Sequence, residues 1–99
     1  MSDMKQMIEQ FHQTEDGYQK EKIKKDTLET MQDDIEKILK EKYPEYSEKH
    51  KDDLMCEGYM AVLESLETVS PDLEKKEIAR QTKEKIECNV RNYVEAFVN

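Results

Sequence analysis

The sequence predicts an all-α fold, a small bundle of about four helices that forms a single domain over residues 1–99. Apolar residues recur at the i, i+3, i+4 and i+7 spacing that places them along one side of an α-helix. Only two glycines and two prolines occur in the chain, and most of them fall between these apolar repeats. The length suits one modest hydrophobic core.

The first two helices are predicted over about residues 2–13 and 18–42, with a break at Gly17. The buried stripe of the first consists of Met4, Met7, Ile8 and Phe11. The stripe of the second consists of Ile23, Leu28, Met31, Ile35, Ile38 and Leu39. The second helix ends before Pro44, because the residue that precedes a proline is disfavoured in the α conformation.

The third helix is predicted to begin near Lys51 or Asp52 and to continue to about Thr68. Acidic residues in its first turn suit the positive end of the helix dipole. Its apolar face is expected to contain Leu54, Met55, Tyr59, Val62, Leu63 and Leu66.

The fourth helix is predicted over about residues 71–98. Ser70, Pro71 and Asp72 provide an N-cap, a first-turn proline and an acid that compensates the dipole. Its stripe is expected to contain Leu73, Ile78 or Ala79, Thr82, Ile86, Val90, Tyr93, Val94 and Phe97. The front half is weakly apolar, so we expect it to be partly exposed.

Charged residues make up 40% of the chain and leave a net charge of −8. Duplex DNA is therefore not an expected partner of the chain alone, because its affinity derives mainly from phosphate neutralisation by Lys and Arg. Residues 45–70 hold two basic and seven acidic side chains, so the third helix and its approach are the acidic part of the chain. This excess indicates either a solvated helix surface or a patch that docks a basic partner.

Two further patterns predict the compartment. No stretch approaches the roughly 18 consecutive apolar residues of a membrane span, and the N-terminus lacks the apolar segment of a signal peptide. We therefore expect a cytoplasmic protein with no membrane partner. In that compartment Cys56 and Cys88 are expected to be reduced, partly buried thiols.

The sequence contains no motif that predicts catalysis. Gly17 and Gly58 are isolated, which excludes a glycine-rich phosphate loop. The two histidines and two cysteines lack the close spacing of metal-ligand pairs. We expect no catalytic, cofactor or metal site, and we favour a binding protein over an enzyme.

One segment has a more specific pattern, D-D-L-M-C-E-G-Y-M-A-V-L-E-S-L-E over residues 52–67, followed by V-S-P-D over residues 69–72. It resembles the second conserved region of bacterial sigma factors, where a helix written E-D-L-x-Q-E-G-x-x-G-L-x-x-A precedes a turn written F-D-P. A glycine within a helix costs about 0.5–1 kcal/mol relative to alanine. We expect Gly58 to be retained because another helix approaches closely there.

The resemblance extends more loosely over residues 5–75 and implies a sigma region 2-like fold. It also implies that this helix binds the clamp helices of core RNA polymerase, with Asp53, Cys56, Glu57 and Met60 in the interface. Cys56 replaces the usual glutamine, Ala61 replaces a glycine, and residues 69–71 replace F-D-P. A truncated form of this kind would suit a phage or mobile element.

Two functions follow as hypotheses. The first is a degenerate, sigma-like accessory module that binds core RNA polymerase. It would not melt promoters alone, because base stacking needs aromatic side chains and none occurs between Tyr59 and Tyr93. The second is an acidic helical inhibitor that mimics nucleic acid and acts on a basic protein, with binding spread over many carboxylates. The oligomeric state is not predicted, although apolar residues exposed on the fourth helix could form a dimer seam or a docking groove.

Overall fold

Four α-helices and a C-terminal π-helical turn make up the structure, a computed structural model that describes residues 4–98. They are α1 (Met4–Gln13), α2 (Gly17–Lys42), α3 (Lys51–Thr68), α4 (Lys75–Tyr93) and the π-helical turn (Val94–Val98). No β-strand occurs among these residues. The predicted all-α bundle is confirmed, while the first two residues of the predicted first helix lie outside the described part of the chain.

The boundaries of α2 and α3 follow from local chemistry. Asp16 caps α2, since its carboxylate accepts a hydrogen bond of 3.0 Å from the backbone N–H of Tyr18. Gly17 therefore lies in the first turn of α2 and not in the break before it. At the other end, the N–H of Tyr43 donates to the carbonyl of Leu39 at 2.8 Å, directly before Pro44. Both ends of α3 fall where the sequence predicts them.

The prediction that the fourth helix begins at Pro71 is wrong. Ser70 instead begins a turn, in which its hydroxyl accepts a hydrogen bond from the N–H of Asp72 at 3.2 Å. The ammonium of Lys5 donates to the carbonyl oxygens of Pro71 and Leu73, at 2.7 and 2.6 Å. In a helix that began at Pro71, those oxygens would accept hydrogen bonds from the backbone N–H groups of residues 75 and 77. The ammonium of Lys5 replaces these N–H groups as the donor, and α4 begins at Lys75.

The helix α3 occupies the centre of the bundle and packs against each of α1, α2 and α4. One hydrophobic core draws residues from all four helices. Its fully buried members include Met4, Ile8, Met31, Ile35, Leu39, Leu54, Val62, Leu66, Ile78, Ile86 and Val90. The ring of His12 adds a polar link from α1 to α3, because its Nε2 donates to the carbonyl of Leu66 at 2.8 Å.

The apolar stripes are correct in outline and wrong at particular positions. Ile78 and Thr82 are buried, whereas Leu73 is half-buried and residues 74–76 are exposed, so the front half of the predicted fourth helix is partly exposed as expected. Phe97, assigned to the same stripe, is 76% exposed, so its assignment is wrong. Tyr59 and Leu63 of α3 are half-buried and pack against the core, as do Met7, Ile23 and Leu28 of the other predicted stripes. Thr27, 0% exposed, extends the buried stripe of α2.

Gly58 confirms the predicted close approach of a second helix. A Cβ atom built on Gly58 would lie 2.5 Å from Cγ2 of Ile35 on α2, well inside contact distance. Ile35 is itself fully buried, so it has little room to move. The missing side chain thus fixes how closely α3 approaches α2, and with it which side of α3 faces solvent.

Candidate functional site

The solvent-facing side of α3 is the candidate site. Successive residues of an α-helix turn by about 100°, so Asp53, Cys56 and Met60 lie within about 60° of one another. All three are exposed, and Met60 is exposed at 54%. Glu57 is half-buried at the edge of this side that faces α4. The structure therefore brings the four predicted contact residues to one surface, which we call the outer face of α3.

Two further acidic residues, which the sequence motif does not include among the contacts, lie on this surface. Glu64 and Glu67 are exposed and follow Met60 and Asp53 at helical spacing along the outer face. Glu64 forms an ion pair with Lys85 of α4 at 3.2 Å. The projection of α3 at 100° per residue would have revealed both residues. The outer face thus has carboxylates along most of its length, around an apolar centre formed by Cys56 and Met60.

The edge toward α4 is held by three contacts. The side-chain amide of Asn89 donates to the carbonyl of Glu57 at 3.4 Å. The hydroxyl of Tyr93 donates to the carboxylate of Asp53 at 2.8 Å. With the ion pair of Glu64 and Lys85, these contacts show that α3 and α4 run antiparallel, since residue numbers fall along α4 as they rise along α3.

Asp53 also changes the acidity of its partner. The hydrogen bond to Asp53 raises the pKa of Tyr93 above its usual value, and partial burial and the charges of Asp53 and Glu57 act in the same direction. At neutral pH the hydroxyl of Tyr93 is protonated, as in any tyrosine, and donates to Asp53. It orients one of the four predicted contact residues, although nothing in the spacing of the sequence links residues 53 and 93.

The opposite edge of the outer face leads into a groove between α2 and α3, with a volume of about 410 Å³ and open to solvent. Leu28, Tyr59 and Leu63 form its apolar part, and the rest of the lining is polar or charged: Glu21, Lys24, Lys25, Glu29 and Gln32. Burial, followed by the charge of Glu36, raises the pKa of Tyr59. The sequence signal for this groove is a second apolar repeat on α3, at residues 56, 59, 60 and 63.

Reactive groups are scattered through the described part of the chain. No three His, Cys, Asp or Glu side chains within residues 4–98 are grouped as ligands of a metal ion. Cys56 and Cys88 are free thiols. The expectation that both are partly buried is correct for Cys88 and wrong for Cys56, which is exposed because it lies on the outer side of α3.

None of the described helices combines the length and the apolar character that crossing a membrane requires. Even α2, the longest at 26 residues, alternates lysines and carboxylates around its buried stripe.

The chain matches no family model, no curated protein and no solved structure. The likeness of residues 52–72 to sigma factors stays a prediction from the sequence. The outer face of α3 is accordingly interpreted from its own geometry, charge and exposure.

Proposed function

We propose that this chain is a non-catalytic, sigma-like accessory module that binds core RNA polymerase through the outer face of α3. The observation that carries the proposal is the common exposure of Asp53, Cys56 and Met60, with Glu57 beside them on the same helix. Carboxylates around an apolar centre suit a partner helix that presents Lys or Arg around an apolar contact. The clamp helices of the largest polymerase subunit are the partner that the sigma-like motif implies.

Gly58, on the buried side of α3, supports the same proposal. Because the glycine lets Ile35 pack directly on the backbone of α3, the helix has a fixed rotation and presents a fixed set of side chains to solvent. A rigid helix loses less conformational freedom on binding than a loop does, which favours affinity. The proposed role is attachment to the polymerase and not promoter melting, because the sequence has no aromatic residue between Tyr59 and Tyr93.

The test is a charge reversal at the edge of the outer face that lies toward α4. Glu57→Lys places a cation opposite the basic partner, so we expect binding to purified bacterial core RNA polymerase to weaken by at least about tenfold. Asp26→Lys is the matched control, because Asp26 is an exposed acid of α2 that lies on the side beside Gln10 of α1, away from the outer face of α3. Binding is measured by immobilising each tagged variant and titrating the polymerase.

Three outcomes have distinct meanings. Loss with Glu57→Lys and retention with Asp26→Lys support the proposal. Equal weakening by both reversals contradicts it and favours the nucleic-acid mimic, in which affinity is spread over many carboxylates. Failure of the unaltered chain to bind the polymerase also contradicts it.

A further inference from the structure

The helix α1 supplies hydrogen-bond donors to the backbone at the end of α3 and in the connection to α4. Nε2 of His12 donates to the carbonyl of Leu66 in the last turn of α3. The ammonium of Lys5, whose side chain is 26% exposed, donates to the carbonyls of Pro71 and Leu73. The connection between α3 and α4 is therefore held by side chains of a helix that lies at the other end of the chain.

This connection already contains one turn with helical hydrogen bonds. The hydroxyl of Ser70 accepts from the N–H of Asp72 at 3.2 Å, as the side chain of an N-cap residue does. The N–H of Leu73 donates to the carbonyl of Ser70 at 3.4 Å, which closes a turn of the 3₁₀ type. Pro71 occupies the first helical position, which proline favours. Residues 70–73 thus form the beginning of a helix that does not continue.

Glu74 separates this turn from α4. Its φ of −67° is that of a helix, but its ψ of 154° is extended, and it is the N-cap of α4. If ψ of Glu74 took the helical value of about −42°, α4 could continue back through the turn. Two N–H groups of the first turn of α4 would then donate to the carbonyls of Pro71 and Leu73. These are the carbonyls that Lys5 occupies.

We propose that Lys5 is a latch that selects between two starting points of α4. The helix begins at Lys75 while the ammonium holds the two carbonyls, and at Pro71 once the ammonium is withdrawn. Hydrogen bonds from a charged donor are stronger than those from a backbone N–H, which favours the latched form. Withdrawal leaves the carbonyls without a donor, and continuation of the helix supplies one. The helix then lengthens by residues 71–74, about one turn.

The latch connects α1 to the helix that supports the outer face of α3. That support consists of the contacts of α4 through Lys85, Asn89 and Tyr93. A partner that displaced α1 would remove Lys5 from the connection and convert the connection to helix. The latch does not depend on what binds the outer face, so it stands even if the polymerase proposal fails.

The test measures hydrogen exchange of backbone amides by NMR in the full chain. In Lys5→Met, which keeps the aliphatic stem but has no donor, we expect the amides of residues 75–77 to exchange at least about tenfold more slowly, because they gain helical acceptors. The Cα chemical shift of Glu74 should move toward helical values in the same variant. Lys5→Gln, which is shorter and uncharged, is the second variant if Lys5→Met fails to fold.

Two controls accompany these variants. Lys5→Arg retains a charged donor, so its exchange should match that of the unaltered chain. Lys37→Met is the matched control for the loss of a lysine, because Lys37 is an exposed residue of α2 that makes no contact with the connection. Its exchange at residues 75–77 should also be unchanged.

Lys75→Pro separates a longer α4 from a general change in rigidity. Proline is accepted at the first residue of the observed α4, but it disfavours the α conformation at Glu74. Alone, this substitution should leave the exchange of residues 76 and 77 unchanged. Combined with Lys5→Met, it should abolish the slower exchange of these two amides, because the helix can no longer continue through Glu74.

Unchanged or faster exchange at residues 75–77 in Lys5→Met would overturn the inference, since α4 would then begin at Lys75 without help from Lys5. Slower exchange that persists in the double variant would also overturn it. In that case the amides would be protected by something other than a longer helix.

Discussion

Gly58 links the packing of α3 to its proposed function. Because glycine has no side chain, α2 contacts the backbone of α3 at this position. The Cγ2 methyl of Ile35 occupies the space that a side chain at residue 58 would need. That methyl branches directly from Cβ, so it can move only if the whole side chain changes rotamer. The position of the outer face is thus set by Gly58, on the opposite, buried side of α3, and by Ile35 of α2, which packs against it.

Adding one methyl group at Gly58 tests this contact. Alanine is favoured over glycine in a helix by about 1 kcal/mol, but overpacking a filled core costs about 1–3 kcal/mol. The difference leads us to expect that Gly58→Ala lowers the free energy of unfolding by up to about 2 kcal/mol in urea titrations. In an Ile35→Leu background, which lacks the Cγ2 branch, the same substitution should cost less. Equal costs in both backgrounds would show that Ile35 is not the obstacle.

Thr82 offers a second test at the residue scale. Its hydroxyl is buried and has no hydrogen-bond partner within the described residues. A buried polar group without a partner costs about 1–3 kcal/mol, so Thr82→Val should stabilise the fold by about 1 kcal/mol. Thr27→Val is the control, because the equally buried hydroxyl of Thr27 donates to the carbonyl of Ile23 at 2.6 Å. The midpoint of thermal unfolding should be higher for Thr82→Val than for Thr27→Val. The reverse order would contradict this account.

Among the helices, α4 differs most from its prediction, and the reason is a contact between distant parts of the chain. Ser70, Pro71 and Asp72 have the composition of a helix start, but Lys5 binds two carbonyl oxygens of the turn that they begin. A bond between residues 66 or 68 positions apart leaves no trace in local spacing. The contact of Tyr93 with Asp53 was unpredictable for the same reason. The ends of α2 and α3 were predictable because proline and acidic residues act within one turn.

Without a side-chain cap at its first residue, α4 is supported by charge in its first turns. Arg80 forms ion pairs with Glu77, three residues before it, and with Glu84, four residues after it. The hydrogen bond from Arg80, followed by that from Gln81, lowers the pKa of Glu77 to about 2. The folded carboxyl therefore binds its proton less readily than the unfolded one. Its stabilising effect is complete above about pH 4.5 and is lost as the pH falls toward 2.

Removing the guanidinium of Arg80 should raise the pKa of Glu77 again. In Arg80→Gln we expect the pKa of Glu77 to return most of the way to its ordinary value of 4.5, because the largest cause of the shift is the hydrogen bond from Arg80. The carboxyl resonance of Glu77 in a carbon-detected NMR titration reports this directly. Lys83→Gln is the control, since Lys83 pairs with Glu87 and not with Glu77. A Glu77 pKa that stays near 2 in Arg80→Gln would contradict the assignment.

At the scale of the whole molecule, the net charge of −8 is distributed around a bundle of 41 × 27 × 21 Å. The outer face of α3 combines carboxylates with an exposed apolar centre at Cys56 and Met60, which neighbours the groove at Leu63. The four contact residues were predictable because they share one helix. The α3 side of the groove has a signal in the apolar repeat of that helix, but its α2 side has none, because it depends on how α2 lies beside α3.

Cys56 provides the most direct measurement of the central claim, that the outer face of α3 is the docking surface. Its thiol is exposed, whereas that of Cys88 on α4 is half-buried and lies near Arg91 and Asn92. Alkylation of both thiols by iodoacetamide can be followed by mass spectrometry of the chain, free and with saturating core RNA polymerase. We predict that the polymerase slows alkylation of Cys56 at least about tenfold while Cys88 changes little, because docking excludes the reagent from the interface core. An unchanged rate at Cys56 would contradict the account.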